Sequence, residues 1–549
     1  MEPSKAKLSL LSRLNSRQGL WAVVIGLMLA ASFPPMPFPF LMYIAFVPIL
    51  YIIDARIKEG RKIMGFIYLT ALIWNWGCGY WIGFTAFGVE DGEKFMAALT
   101  GILANFANAL LMCIPLLLYK RVRKRYINSP YSLLALIPFW LAFEYLHCNW
   151  DLSWSWYNLG ICLSYIPNYI QYLEWTGILG ATLHILLANI LLYELIRQKE
   201  TLSIWNKEMA YGLTAWLALP LLLSFYFLAE SRDIYKPSGT MNVRILQPNV
   251  DPFLKYSEFS PESQVKMFTE LINRPGLSNI DLIVMPETAI PRYIWTDKID
   301  SNQLIQPLWH IIHEKKVPIL TGIIEARYYP PTAKNIPVAA NKYEEGFYVP
   351  YNASVVMPVT GKCDFFEKGK LVPFVERTPF MDELPFMKHL LVKIGGGYGG
   401  YGKPDSIHPI RVKDGVKVGT MICYESVYGD YIRRLTKEDA DFLAILTNDG
   451  WWGKSSGYIQ HQQMTVLRAI ENRRDIVRSA NTGISLFADS RGQLRQKTEY
   501  WVRTTIDGKI NLYKGKTLYV LWGDYLGWIS VIVGFGLWIL SLRKFTQER

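Results

Sequence analysis

The stretch "VKVGTMICYESVYGD", residues 416–430, sets a cysteine between two segments of different periodicity. Residues 416–422 are mostly apolar or β-branched and predict a strand, whereas the spacing of apolar residues over 426–435 predicts a helix. At such a turn the backbone N–H groups point outward, and the helix dipole there lowers the pKa of a thiol. The stretch therefore predicts an α/β fold with Cys423 as a candidate nucleophile at the end of a strand.

The same alternation extends on both sides of this stretch. Helical spacing occurs over residues 263–274, 303–316 and 457–474. Short β-branched segments lie between and around them, at residues 243–250, 281–288, 318–324, 353–358, 441–449 and 482–488. Strands that alternate with helices are typical of an α/β sandwich. We therefore predict one large α/β domain over residues 230–522.

The rest of the chain has the composition of a membrane protein. Of the 549 residues, 51% are hydrophobic and 19% are charged, which is more apolar and less charged than an ordinary soluble protein. The run 19–53 predicts two helices, because "FPPMPFPF" interrupts it. Six further runs, each with few or no charges, cover residues 63–84, 95–119, 132–146, 169–193, 212–229 and 525–542. The prediction is eight spans, with a transmembrane domain at 1–229 and a last span and tail at 523–549.

The distribution of lysine and arginine predicts the orientation, since these residues are retained on the cytoplasmic side. They cluster in alternate loops at residues 5–17, 56–62, 120–125, 197–207 and 543–549, and the other loops are almost without them. Both termini are therefore expected in the cytoplasm and residues 230–524 outside. The net charge of +12 is explained by these loops facing anionic lipid and calls for no nucleic acid.

Only two of the six cysteines, Cys363 and Cys423, lie in the predicted exterior domain. An oxidising exterior usually pairs such residues or eliminates them. Residue counting leaves three alternatives open: a disulfide between the two, two inert buried thiols, or a working thiol at Cys423.

Two other strand ends supply partners for a nucleophilic thiol. Glu287 follows the apolar segment in "LIVMPETAIP", and Lys368 lies in "FFEKGKLVPFVE" with Glu376 eight residues on. A carboxylate that takes the thiol proton and an ammonium that stabilises an oxyanion would complete an acyl-transfer site. Taken singly, each residue also has an ordinary structural explanation, as a helix-capping glutamate, a surface lysine or a core cysteine.

Four motifs together resemble those of the nitrilase, or carbon-nitrogen hydrolase, superfamily: "PETAIP", "KGKLVPFVE", "ICYES" and "TNDGWWG". This resemblance implies a four-layer α-β-β-α sandwich. With eight spans added, the whole chain resembles its membrane-embedded branch, the apolipoprotein N-acyltransferases of bacteria. The resemblance implies that Glu287 is the general base, Lys368 the oxyanion stabiliser and Cys423 the nucleophile. It assigns supporting roles to three more residues, Glu376, Tyr424 and Glu425.

The sequence departs from the family's pattern at three positions. Val375 stands where a glycine usually precedes the supporting glutamate, Lys370 where histidine is common, and Met285 where tryptophan often precedes the proline. Val375 bears most directly on the site, because its side chain could displace Glu376.

The resemblance implies a two-step transfer in the bacterial inner membrane, with the catalytic domain in the periplasm. An acyl chain passes from a phospholipid to Cys423 as a thioester, and then to the N-terminal amine of a diacylated lipoprotein. No metal, cofactor or nucleic acid is expected, and we expect a monomer in the lipid bilayer. The competing hypotheses are a membrane-tethered amidase, with water as the second nucleophile, and a non-enzymatic scaffold.

Three further segments carry expectations. Asn448 and Trp451 in "TNDGWWG" follow a strand end and are predicted to contact substrate. The arginine-rich segment 461–485 is expected to form surface salt bridges. Residues 380–402, with six glycines in the last eight positions, predict either an ordinary surface loop or a hinged lid whose apolar residues touch lipid. The seven apolar residues of this predicted lid are Phe380, Met381, Leu384, Phe386, Met387, Leu390 and Leu391.

Overall fold

The computed structural model describes residues 17–87, 91–202, 204–229, 232–389, 400–413 and 415–542. The chain divides into two compact units. The first comprises Met1–Tyr80, Gly101–Leu228 and Asp524–Arg549, and the second comprises Trp81–Thr100 and Ala229–Gly523. The segment Trp81–Thr100 thus groups with the α/β unit, whereas the division made from the sequence placed it with the spans.

Apolar helices build the first unit. In chain order the helices described between residues 17 and 227 are α1 Gln18–Ala31, α2 Met42–Lys58, α3 Met64–Gly79, α4 Asp91–Leu111, α5 Cys113–Arg125, α6 Leu136–His147, α7 Leu173–Thr176, α8 Ile178–Leu202 and α9 Lys207–Phe227. Five helical segments of the described chain are long and apolar enough to cross a membrane: Pro39–Lys58, Ala97–Arg125, Ile178–Leu202, Lys207–Phe227 and Tyr525–Leu542.

The predicted count of eight spans exceeds these five. Helix α1 has 14 residues, α3 has 16 and α6 has 12, whereas a helix needs about 20 residues to cross the hydrocarbon core. The coarser prediction of several apolar, membrane-type helices is confirmed, and the count of eight stays a prediction.

A buried ion pair links three helices of the first unit. Arg123 on α5 donates from Nε and Nη2 to both carboxylate oxygens of Asp54 on α2, at 2.9 and 2.6 Å. Tyr193 on α8 donates to the same carboxylate at 2.6 Å, and Arg123 also donates to Ser132. Because the carboxylate and the guanidinium satisfy each other, both charges can be buried.

The second unit contains the predicted α/β domain. Its strands are β1 Gly239–Gln247, β2 Leu282–Val284, β3 Ile290–Trp295, β4 Ile319–Tyr329, β5 Asn341–Tyr343, β6 Gly346–Met357, β7 Asp364–Glu367, β8 Ile410–Lys413, β9 Val416–Ile422, β10 Phe442–Thr447, β11 Ile476–Ala480, β12 Leu486–Ala488, β13 Leu494–Arg495 and β14 Thr504–Leu512. The helices that follow α9 are α10 Pro261–Ile272, α11 Gln306–Lys315, α12 Gly429–Lys437, α13 Gly457–Asn472, α14 Leu518–Trp522 and, in the first unit, α15 Tyr525–Leu542.

The strands form two sheets. In the eight-stranded sheet the order is β14-β1-β2-β4-β6-β5, with β3 paired to β4 and β7 paired to β6. In the six-stranded sheet the order is β13-β12-β11-β10-β9-β8, and β9, β10 and β11 are parallel. Parallel neighbours end at the same edge of a sheet, so the residues after β9 and β10 lie side by side.

The two sheets pack face to face. Val243, Val284 and Leu320 of the larger sheet share one apolar core with Val418 and Ile445 of the smaller sheet. A second core lies on the other face of the larger sheet, where α10 and α11 pack, and α12 and α13 pack on the smaller sheet. Each sheet thus buries both faces, which matches the near-continuous apolar segments in the sequence.

Candidate active site

The three predicted catalytic side chains lie just beyond strand ends, as the sequence indicated. Glu287 comes three residues after β2, Lys368 directly after β7, and Cys423 directly after β9. The first two strands belong to the larger sheet and the third to the smaller one. All three residues are buried, with 6%, 1% and 7% of their surface exposed.

Lys368 brings two carboxylates together. Its Nζ lies 3.3 Å from Glu287 Oε1 and 2.9 Å from Glu376 Oε1. Burial acts to lower the pKa of Lys368, but the charges of Glu376 and Glu287, and the Cys423 thiol, raise it above the ordinary lysine value. The ammonium therefore stays protonated and can face an anion. Val375 does not displace Glu376 from this contact.

Asn352 is a member of the site that the sequence analysis missed. Its Nδ2 donates at 2.9 Å to Glu287 Oε1 and at 2.9 Å to Glu376 Oε1. Its backbone carbonyl also accepts from the Lys368 N–H at 2.8 Å. The signal was a polar residue inside the long strand "GFYVPYNASVVM", since a buried amide in a strand needs partners.

Glu425 connects the loop that carries Lys368 to the turn that carries Cys423. Its Oε1 accepts from the backbone N–H groups of Gly369 and Lys370, at 2.8 and 3.2 Å, and its Oε2 accepts from the N–H of Ile422 at 2.9 Å. Burial raises the pKa of Glu425 to about 7 even though these donors and Lys368 act to lower it. This carboxyl group therefore fixes the distance between two elements of the site.

The turn at Cys423 differs from the prediction. A 3-10 helix covers Cys423–Val427, and the α-helix starts only at Gly429 and runs to Lys437 instead of covering residues 426–435. The expected lowering of the thiol pKa is wrong: burial raises the pKa of Cys423, the Glu287 charge raises it further, and Lys368 offsets part of this. The dipole of a distant helix start is too weak to overcome desolvation.

The cysteine nevertheless has the geometry of a nucleophile turn. Its backbone is left-handed, with φ of 51°, a conformation that costs a non-glycine residue about 1–2 kcal/mol. Cys363 and Cys423 are both free thiols, so the alternative of a disulfide between them is not realised.

The turn at Glu287 is equally constrained. Thr288 has φ of 43°, and the buried Lys255 donates from Nζ to the carbonyl and to the hydroxyl of Thr288, the latter at 3.2 Å. Burial lowers the pKa of Lys255 to about 8, against the opposing effect of Glu287. Gly322 on β4 passes so close that a Cβ there would lie 2.7 Å from Glu287 Cα and 2.5 Å from Thr288 N. No sequence signal marked Lys255, which lies in the irregular segment after β1.

The remaining predicted site residues occupy nearby positions. Tyr424 is buried against Tyr428, with ring centroids 5.2 Å apart. Asn448 is buried, and its Oδ1 accepts from Asn481 Nδ2 at 3.2 Å. Trp451 is half-buried and lies edge-on to the ring of Phe253 at 5.1 Å. Contact of these residues with substrate stays a prediction.

The arginine prediction is wrong. Arg468, Arg473, Arg474 and Arg478 are fully buried, not at the surface. Each guanidinium donates to a carboxylate or to backbone carbonyls; Arg468, for example, pairs with Glu471 at 2.9 Å. These arginines can be buried because carboxylates and backbone carbonyls accept their hydrogen bonds. The sequence pattern does not reveal these acceptors.

The predicted lid is described only in part, since residues 390–399, which include Leu390 and Leu391, lie outside the described residues. Met381 packs in the core of the larger sheet and is unavailable to lipid, which corrects that part of the prediction. Leu384 and Phe386 are exposed, at 42% and 78%. At the other end, the N–H groups of Gly400 and Tyr401 donate to the carbonyl of Glu376, at 2.8 and 3.0 Å.

Comparison with known proteins agrees with this geometry. The family model described as carbon-nitrogen hydrolase matches residues 242–517, and the one described as apolipoprotein N-acyltransferase N-terminal domain matches residues 25–191. A relative from Chlorobaculum tepidum, named apolipoprotein N-acyltransferase, is 29% identical over 97% of this chain and 98% of its own. Relatives of the same name from Geobacter metallireducens and Haemophilus influenzae are 28% and 25% identical, over 96% and 92% of this chain and 96% and 91% of their own.

Because the first family model covers half of the chain, the chain belongs to the carbon-nitrogen hydrolase family. Within that family it groups with the apolipoprotein N-acyltransferases, since both family models match in order and the relatives extend over nearly the whole chain.

Proposed function

We propose that this enzyme transfers an acyl chain from a phospholipid to the N-terminal amine of the S-diacylglyceryl cysteine of apolipoproteins, through a thioester on Cys423. The observation that carries the proposal is the buried contact of 3.3 Å between Lys368 Nζ and Glu287 Oε1. The charges of this pair act on the Cys423 thiol, which supports a joint role for a base, a cation and a nucleophile.

In the first step, the Cys423 sulfur attacks the ester carbonyl of a phospholipid. The raised pKa keeps the thiol protonated at rest, so attack requires that Glu287 take the proton as the carbon–sulfur bond forms. The Lys368 ammonium stabilises the oxyanion. When the carbon–oxygen bond breaks, the leaving alcohol takes the proton from Glu287 and departs as a lysophospholipid.

In the second step, the lipoprotein amine attacks the thioester carbonyl. Glu287 takes a proton from the amine, the oxyanion again faces Lys368, and the carbon–sulfur bond breaks. The sulfur recovers its proton from Glu287 and the product is an amide. Glu376 and Asn352, which both contact the Lys368 and Glu287 pair, hold the charges in place through both steps.

The five long apolar helices of the described chain and the charge distribution support a multi-pass location in the bacterial inner membrane. The proposed count of eight spans rests on the apolar runs of the sequence. In this proposal both termini are cytoplasmic and the four-layer α-β-β-α domain at 230–522 is periplasmic. The enzyme works as a monomer in the bilayer, which delivers both lipid substrates. The exposed Leu384 and Phe386 are suited to touch lipid, and Asn448 and Trp451 are the proposed substrate contacts.

Intact-protein mass spectrometry after incubation with phospholipid alone tests the proposal. Wild type should gain the mass of one acyl chain, and neutral hydroxylamine should release it. Cys423→Ala should gain nothing, and a stable adduct on Cys423→Ser would mark the same atom position. Addition of a diacylated lipopeptide should then discharge the wild-type adduct. Discharge by water alone would favour the membrane-tethered amidase, and no adduct at all would refute the nucleophile.

A further inference from the structure

A buried polar network lies behind the turn that carries Cys423. It consists of Ser426 in the 3-10 helix, His461 on α13, Asp449 just after β10 and Arg478 on β11. All four side chains are fully buried. The triad chemistry proposed above uses none of them, and burying this many polar groups is costly unless each is satisfied.

The network acts on the backbone of the nucleophile. The Cys423 carbonyl accepts from Ser426 Oγ at 2.9 Å, and His461 Nε2 lies 3.0 Å from this carbonyl and 2.8 Å from the same Ser426 Oγ. Ser426 thus joins His461 to the carbonyl: a proton on Nε2 would be shared between the carbonyl and Ser426 Oγ, both of which can accept. Two side chains therefore hold the peptide group that follows Cys423, at a residue whose φ of 51° is strained.

His461 is in turn held from its other side. Its Nδ1 lies 2.8 Å from Asp449 Oδ1, and Asp449 also accepts from Thr447 Oγ1 at 2.9 Å and from Arg478 Nη2 at 2.7 Å. Burial acts to raise the pKa of Asp449, but Arg478 and His461 hold it well below the usual range. The imidazole thus spans from a fixed carboxylate to the carbonyl of the nucleophile.

We propose that His461, anchored by Asp449 and Arg478, is a positioning residue that holds the Cys423 carbonyl and thereby aims the thiol at the substrate ester. The inference rests on the proposed role of Cys423 as the nucleophile. His461 takes no proton from substrate; its contribution is the orientation of the strained turn. A misplacement of about 1 Å at a reacting atom costs about 10²-fold in rate. Loss of the contacts that His461 makes with this turn should therefore slow thioester formation strongly.

Two substitutions separate positioning from mere support of the fold. His461→Leu keeps much of the volume and removes both ring nitrogens, whereas His461→Gln keeps an amide group that can donate to the carbonyl or to Ser426 Oγ. With phospholipid in mixed micelles, His461→Leu should slow single-turnover formation of the Cys423 adduct by about tenfold or more. The phospholipid concentration at half-maximal rate should not change. His461→Gln should recover most of the rate.

Alkylation of Cys423 by iodoacetamide, measured on the same full-length proteins, needs no acyl transfer. His461→Leu should slow alkylation and His461→Gln should restore it, even if wild type forms no acyl adduct and the proposed function fails. Equal alkylation of wild type and His461→Leu, or equal loss in the leucine and glutamine variants, would overturn the positioning role.

Ser426→Ala provides the test if His461→Leu does not fold. It removes the hydroxyl that donates to the same carbonyl, so it should slow both reactions, by about fivefold if the lost hydrogen bond contributes on the order of 1 kcal/mol. Wild-type rates in a folded Ser426→Ala protein would show that the carbonyl anchor does not aim the thiol.

Discussion

Gly322→Ala is the smallest change that should displace Glu287, the proposed general base. The added Cβ would lie 2.5 Å from Thr288 N, 2.6 Å from Pro286 O and 2.7 Å from Glu287 Cα. All three are backbone atoms, so no side-chain rotation can relieve the contacts. Ordinary carbon contacts need about 3.5–4.0 Å, so the segment bearing Glu287 must move by about 1 Å.

The expected cost divides into stability and rate. Overpacking of this kind costs about 1–3 kcal/mol of folding free energy. A shift of about 1 Å at the base should reduce the rate of thioester formation by about 10²-fold. We expect the protein to stay folded, so that the main observable change is the lower rate. The rate falls because Glu287 leaves its contact with Lys368.

Single-turnover formation of the Cys423 adduct, followed by mass spectrometry, measures the rate. Gly239→Ala is the matched control: it makes the same change in a strand of the same sheet, and its Cβ would meet only Leu512 at 3.4 Å. The control should react at nearly the wild-type rate. A folded Gly322→Ala protein that forms the adduct as fast as Gly239→Ala would refute the assignment of Glu287 as the base held by this close approach.

Three other changes test separate parts of the structure. Glu425→Gln should slow adduct formation by about tenfold, because its amide group must face one of three backbone donors; an unchanged rate would show that these bonds do not align the site. Burial lowers the pKa of Lys255 from the usual 10.5 to about 8. Between these two pH values the unfolded chain keeps the lysine proton and the folded protein does not, so the stability of the folded protein rises with pH, by up to about 3 kcal/mol. The melting temperature of wild type should therefore rise relative to Lys255→Met between pH 7 and pH 10, and parallel profiles would contradict this. Asp54→Asn should destabilise the helical unit by about 3–5 kcal/mol, because it leaves the buried Arg123 without its carboxylate, and thermal denaturation in detergent compared with the exposed Arg61→Ala would reveal it.

The residues that could be predicted from the sequence are those that local pattern places at strand ends. Glu287 and Cys423 each follow a short apolar segment, and Lys368 follows the short strand β7. Because these strands belong to two different sheets, local pattern places each residue at a strand end but does not show that the three meet. The partners of Asn352 and Lys255 could not be predicted, because they lie about 24 to 65 residues away in the chain. A polar residue inside an apolar strand signals that Asn352 needs partners, but it does not say which ones.

The thiol pKa shows the limit of the same reasoning. The strand-to-turn transition at Cys423 was correctly expected, and the helix dipole is a real effect near a helix start. Here, however, the α-helix begins at Gly429 and the thiol is buried, so desolvation decides the sign. Burial depends on the whole fold and cannot be read from a short segment. The strand end was therefore predicted correctly, whereas the direction of the thiol pKa shift was not.

The burial of Cys423 also explains why, in the proposed reaction, this site favours transfer over hydrolysis. A thioester must survive until a lipid-borne amine arrives, and its competitor is water. Cys423 has only 7% of its surface exposed, and the proposed base Glu287 is already engaged by Asn352 and Lys368. A water molecule would have to enter a buried position and displace these partners before Glu287 could activate it. An amine attached to a buried acyl chain arrives with binding energy that water lacks, so the same burial that raises the thiol pKa also protects the intermediate.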